Sequence, residues 1–151
     1  MLIIGVGNPF RRDDGAGMAV ASEVKAHAGG NVRVLIRTGE GADLIECWKP
    51  DDDVIIVDAM KSGGEPGAVL RIDAKAGPFP VENFRISSHS FGVAEAVEVA
   101  RALQRLPRSL IVYGIEAVDL GEGEGLTPEV AKAVGLAATR VMADIEGRGK
   151  T

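Results

Sequence analysis

Cysteine is all but missing from this chain: Cys47 stands alone, so no internal disulfide can brace the fold. Aromatic residues make up only 4% of the sequence, which leaves a core to be built from Val, Ile, Leu and Ala. No uninterrupted apolar run approaches the roughly 20 residues that cross a bilayer, and no membrane association is expected. There is no Lys/Arg-rich stripe, and the net charge is −5; without that electrostatic footprint, nucleic acid is not expected as a partner. The chain does not open on a basic segment followed by a cleavable apolar stretch. Together with the lone thiol, this makes a reducing cytoplasm the expected compartment.

What is present is the composition of a globular domain. With 151 residues the chain is long enough for a two-sided sheet core, and a single domain is expected over residues 1–147, with 148–151 as a flexible tail. Met1 to Val6 is an apolar run that breaks at Gly5-Val6-Gly7-Asn8-Pro9, the pattern of a buried strand ending in a tight loop. Met18, Ala21 and Val24 then recur at helical spacing up to Gly29-Gly30. A second strand is expected over Val32 to Ile36 and a short helix over Ala42 to Trp48, stopped by Pro50. Val54 to Val57 is four β-branched residues in a row, the mark of a strand buried on both faces, with Asp58 terminating it.

Beyond a Gly- and Pro-rich loop, Ala68 to Ile72 forms a strand whose short return implies antiparallel pairing. A helix from Phe91 to Leu106 presents Val93, Val97, Ala100 and Leu103 on one side, and Leu110 to Ile115 is the last buried strand. Thr127-Pro128-Glu129 starts the final helix with a hydroxyl cap, a proline at the first helical position and an acid that complements the dipole; it runs to about Glu146. This order predicts a three-layer α/β/α domain around a mixed, mostly parallel five-stranded sheet. Sites in such sheets form at the carboxyl ends of the parallel strands, which decides which polar residues to weigh.

Three positions stand out. Asp14 follows the first strand, Asp58 ends the third, and His89 precedes the helix that feeds the last strand. Two carboxylates and an imidazole suit a divalent metal, with coordination positions left open, although spacing alone does not name the metal. Each residue also has a plainer reading: Asp14, or its twin Asp13, as a helix cap, Asp58 as a solvated strand-end acid, His89 as a hydrogen-bonded loop residue. His27 reads as a surface residue at a helix end. Gly5-Val6-Gly7 evokes a dinucleotide fingerprint, but Phe10 stands where its third glycine belongs. Arg11-Arg12 could meet an acidic group or simply be solvated, Cys47 reads as a buried thiol, and no serine sits in a nucleophile elbow.

Taken together, Gly5-Val6-Gly7-Asn8, Arg12-Asp13-Asp14-Gly15-Ala16-Gly17, Val57-Asp58-Ala59 and Ser88-His89-Ser90-Phe91-Gly92 resemble the [NiFe]-hydrogenase maturation protease family over essentially the whole chain. The resemblance implies a phosphorylase/hydrolase-like fold. It also implies an endopeptidase that removes a C-terminal peptide from the hydrogenase large-subunit precursor after nickel insertion. Asp14, Asp58 and His89 map to the nickel-recognition site, both catalytic and metal-contacting, with the nickel carried by the substrate. No organic cofactor and no structural zinc are expected, and the paired-histidine helix of zinc proteases is absent from the sequence. A monomer that meets its substrate transiently is expected. Gly7, Asn8 and Gly39 to Gly41 would shape the loops that receive the peptide. The chain departs from its relatives at Arg37-Thr38-Gly39-Glu40-Gly41 and at Glu116-Ala117. A non-catalytic nickel-binding assembly chaperone would use the same three residues, and a nucleotide-binding module would depend on Gly5 and Gly7 instead.

Overall fold

The computed structural model describes residues 1–38, 41–84 and 92–149. In chain order these form β1 (Leu2–Val6), α1 (Ala16–His27), β2 (Arg33–Arg37), α2 (Gly41–Ile45), β3 (Asp53–Met60), β4 (Val69–Asp73), α3 (Val93–Ala102), β5 (Ser109–Glu116) and α4 (Pro128–Gly149). Among the described residues the strands make one five-stranded sheet in the order β2-β1-β3-β5-β4. β1 pairs in parallel with both β2 and β3, β3 in parallel with β5, and β4 runs antiparallel along β5, as its short return implied.

Strand side chains alternate between faces, so each apolar run feeds two cores. Leu2, Ile4, Val54, Ile56 and Val112 pack with α2 and α3 on one side, where Trp48 donates its indole N–H to the Arg105 carbonyl at 2.8 Å. Ile3, Ile55, Val57, Ile111 and Ile115 meet α1 and α4 on the other, through Val20, Val24, Val130 and Val141. Burying each such aliphatic side chain is worth about 1.5–3 kcal/mol, which makes the central strands the rigid base for the loops at their ends.

Several boundaries differ from the sequence reading. β3 does not stop at Asp58 but continues through Ala59 to Met60, because β5 runs beside it over the whole length, Asp53 opposite Ser109 through Met60 opposite Glu116. α3 ends at Ala102, and Leu103 is 58% exposed rather than in the core. There Gln104 takes φ 57°, while the Gln104 and Arg105 N–H groups turn back to the Arg101 and Ala100 carbonyls, a closing turn usually built with glycine. α2 is shorter than expected and α4 longer, reaching Gly149. Of the expected tail, residues 150 and 151 lie outside the described part.

Candidate active site

β1 sits between β2 and β3, so the chain leaves β1 toward one neighbour and later returns to the other. The crevice between the carboxyl ends of β1 and β3 is therefore the topological switch point of the sheet, where ligands of open α/β sheets bind. The sequence delivers an acid from each side of it. Asp14 lies in a four-residue 3-10 turn, Arg12–Gly15, between β1 and α1. Asp58 lies within β3 and, two residues on from Ile56, points to the α2/α3 face. Asp58 is thus a strand residue rather than the strand-end acid that the sequence suggested.

Both carboxyls are buried, Asp14 at 1% exposure and Asp58 at 7%. Burial holds the Asp58 carboxyl well above the ordinary carboxylate range, and the charge of nearby Asp14 pushes it the same way; the Ala59 N–H works against them. Asp14 accepts a 3.0 Å hydrogen bond from the Asn8 N–H. The plainer reading of Asp14 as the cap of α1 does not hold, because Gly15 occupies the N-cap and no side chain bonds there. His89, the third expected member, lies outside the described residues.

The glycines that hinted at a dinucleotide loop have a packing reason instead. Gly7 has φ 147°, and a β-carbon there would stand 1.8 Å from the Asp14 carbonyl oxygen. At Gly17 a β-carbon would meet the Val57 carbonyl oxygen at 2.2 Å and that of Val6 at 2.5 Å, and at Gly5 one would lie 2.5 Å from the Gly17 carbonyl oxygen. The bare backbones let the start of α1 lie directly over β1 and β3, bringing the first loop down onto the crevice.

Two more buried acids at this rim were not singled out as site residues from the sequence. Asp13 is fully buried. Its carboxylate accepts N–H bonds from Val118 and Asp119, both at 2.9 Å, and from Thr127 at 2.8 Å, with the Thr127 hydroxyl as a further donor. Burial opposes its charge, but the Asp119, Thr127 and Val118 amides and the Thr127 hydroxyl outweigh it, so this carboxyl titrates below its ordinary range. The hydroxyl expected to cap α4 is turned to Asp13. Glu116, 2% exposed, accepts from the N–H groups of Ser62 and Gly64 and from the Ser62 hydroxyl, tying the loop after β3 to the end of β5. The sequence had marked Asp13 only as the twin of Asp14 in the helix-cap reading and in the family motif, and Glu116 only as a departure from the family pattern at the start of an acidic glycine loop. The donors for Asp13 arrive from more than a hundred residues away.

The remaining candidates stand apart from the crevice. His27 lies at the end of α1 with Nδ1 2.8 Å from the Glu23 carbonyl, beside an open groove between α1 and α4 that also includes Met142 and Glu146. Arg12 makes an exposed 3.4 Å ion pair with Asp119. Cys47 is half-buried rather than buried, its thiol donating to the Asp43 carbonyl. Among the described residues no group of three or more His, Cys, Asp or Glu side chains is arranged to hold a metal ion by itself.

Comparison with known proteins bears on this arrangement. Residues 18–144 match a family described as hydrogenase maturation protease, a span that includes Asp58 and His89 and begins just after Asp14. A Methanocaldococcus jannaschii protein assigned as a hydrogenase maturation protease is 33% identical over 159 residues, covering 97% of this chain and 96% of that one. The hydrogenase expression/formation protein HupD of Thiocapsa roseopersicina is 26% identical over 137 residues. That match takes in 89% of this chain but only 62% of HupD, so the chain spans less than two thirds of that relative. Among solved structures, the hydrogenase maturating endopeptidase HybD of E. coli superposes with a TM-score of 0.83 at 25% identity, covering 98% of this chain and 93% of HybD. HybD of Thermococcus kodakarensis gives 0.72, also at 25% identity, covering 94% and 96%.

Proposed function

Because the chain belongs to the hydrogenase maturation protease family, we propose that it is an endopeptidase that removes the C-terminal extension of a [NiFe]-hydrogenase large-subunit precursor after nickel has been inserted. The observation that carries this reading is the pair of buried acids at the switch point, with the Asp58 carboxyl pushed above its ordinary range first by its burial and then by the charge of Asp14. Two crowded carboxyls resist ionising together, and a divalent cation between them reverses that preference. The pair is thereby suited to sense whether a cation has arrived. In this reading the cation is nickel, it belongs to the substrate, and no organic cofactor or resident zinc takes part.

His89 enters as the third contact on the strength of its motif, Ser88-His89-Ser90-Phe91-Gly92, directly before α3. Oxygen and imidazole donors of this kind suit nickel. Completing the coordination of the bound nickel would both check its insertion and fix the scissile bond beside the crevice. Orientation of that kind lowers a barrier by several kcal/mol, roughly, without a covalent nucleophile. Water then adds to the peptide carbonyl, the carbon–nitrogen bond breaks, and the amine leaves with a proton delivered from the site. The enzyme acts as a monomer in the cytoplasm, and among the described residues no helix is long and apolar enough to cross a membrane.

The test is incubation of a nickel-loaded, extended large subunit with the wild-type protein and with His89→Ala, reading the substrate's C-terminus by mass spectrometry. Nickel-dependent shortening by the wild type alone is the expected result. No shortening by either protein would favour an assembly chaperone that binds nickel without cutting, and equal shortening by both would remove His89 from the site.

A further inference from the structure

We propose that Asp13 is a positioning residue for Asp14: by locking the rotation of the turn that both share, it aims the Asp14 carboxylate into the crevice. The inference rests on the reading of Asp14 as a nickel contact given above. In a 3-10 turn successive side chains project about 120° apart, so two adjacent acids on one turn cannot face the same way. Asp13 faces the segment after β5, where Oδ2 takes the Val118 and Asp119 N–H groups and Oδ1 the Thr127 N–H. The backbone repeats the attachment: the Asp13 N–H donates to the Asp119 carbonyl at 3.0 Å, the Arg12 N–H to Gly123 at 2.9 Å, and the Gly123 N–H to Phe10 at 2.9 Å.

Asp14 is fitted from the other side, its carboxylate against the Asn8 N–H and its carbonyl against Gly7, where no β-carbon fits. A turn of four residues gripped at one carboxylate by three backbone donors has little freedom to roll. Loss of that grip leaves Asp14 in place along the chain but lets its direction drift. Groups that orient a metal-contacting residue from behind typically cost about 10–100-fold in metal affinity or activity when replaced.

The experiment measures steady-state cleavage of the nickel-loaded precursor by the wild type, Asp13→Asn and Asp14→Asn at a temperature where circular dichroism shows each folded. Asp13→Asn is expected to raise KM about tenfold or more, because recognition of the bound nickel suffers, with any fall in kcat coming on top of that rise as the scissile bond is held less firmly. A merely structural Asp13 would instead reduce the active fraction, lowering apparent kcat at unchanged KM, and that pattern overturns the proposal. If Asp14→Asn cleaves like the wild type, the nickel-contact reading fails and this inference with it. If Asp14→Asn is inactive while Asp13→Asn keeps the wild-type KM, the inference alone fails. Should Asp13→Asn not fold, Thr127→Val removes only the hydroxyl donor. A smaller KM rise in the same direction is expected there, and an unchanged KM overturns the proposal.

Discussion

Asp13 and Asp58 lie at the same rim of the same sheet, both buried, and their environments push them in opposite directions. Asp13 is met by three backbone N–H groups and a hydroxyl, and it holds its charge more readily than a free aspartate does. Asp58 has only the Ala59 N–H set against its burial, the charge of Asp14 adds to that burial, and it resists ionisation. Burial alone does not settle what an acid does; the groups arranged around it decide. One of these acids secures a loop, and the other is left in a state that an incoming cation would improve.

The sharpest way to break the comparison is to neutralise each acid in turn. Asp58→Asn should lower processing of the nickel-loaded precursor by at least about a hundredfold, within the range seen when a group that stabilises reacting charge is removed; mass spectrometry of the substrate's C-terminus checks it. A near-normal rate would return Asp58 to the ranks of structural acids.

Next in size is stability at Asp13. Because its folded carboxyl titrates below the ordinary value, its contribution is fully present above the unfolded value and is lost as pH falls through the folded one. Asp13→Asn should therefore cost roughly 2 kcal/mol at neutral pH, the worth of hydrogen bonds to a charged group. The deficit should shrink as denaturation is repeated toward acid.

Asp58 should show the reverse sign. With its folded carboxyl raised, the unfolded chain ionises first as pH climbs, so the wild type loses stability between the unfolded and folded values and stays lower above them. Metal-free Asp58→Asn should then be the more stable protein at neutral pH, by about 1 kcal/mol as is common for relieved sites. That advantage should vanish near pH 3. Thermal melts across pH would show the two variants diverging from the wild type in opposite directions, and parallel curves would end the distinction. The smallest effect lies away from the rim: Gln104→Gly should gain about 0.5–1 kcal/mol in chemical denaturation by relieving a left-handed backbone, with cleavage unchanged.

The layered fold was legible because its evidence is local. Runs such as Val54 to Val57 announce strands buried on two sides, and Pro128 marks a helix start on its own. The location of Asp58 was legible for the same reason, but its place inside a strand was not. An acid interrupts the apolar pattern, and only the neighbouring strand, continuing to Glu116, carries β3 past it. Leu103 fits the helical period and yet lies outside the core, since the backbone reversal at Gln104 ends the helix first. The work of Asp13 was hidden altogether, because Val118, Asp119 and Thr127 become its neighbours only when the sheet assembles. His89, named from its motif, falls outside the described residues.

Gly5, Gly7 and Gly17 give this protein an unusual mutational profile. At these positions the contact is made by an absence, since the oxygens of Val57, Gly17 and Asp14 stand where any added carbon would go. A carboxylate can be exchanged for another donor and a rim loop can be redrawn, but no alternative residue is smaller than glycine. In a saturation scan the deepest and least rescuable intolerance should fall on the residues that offer no chemistry at all, with the acids they bring together next in order.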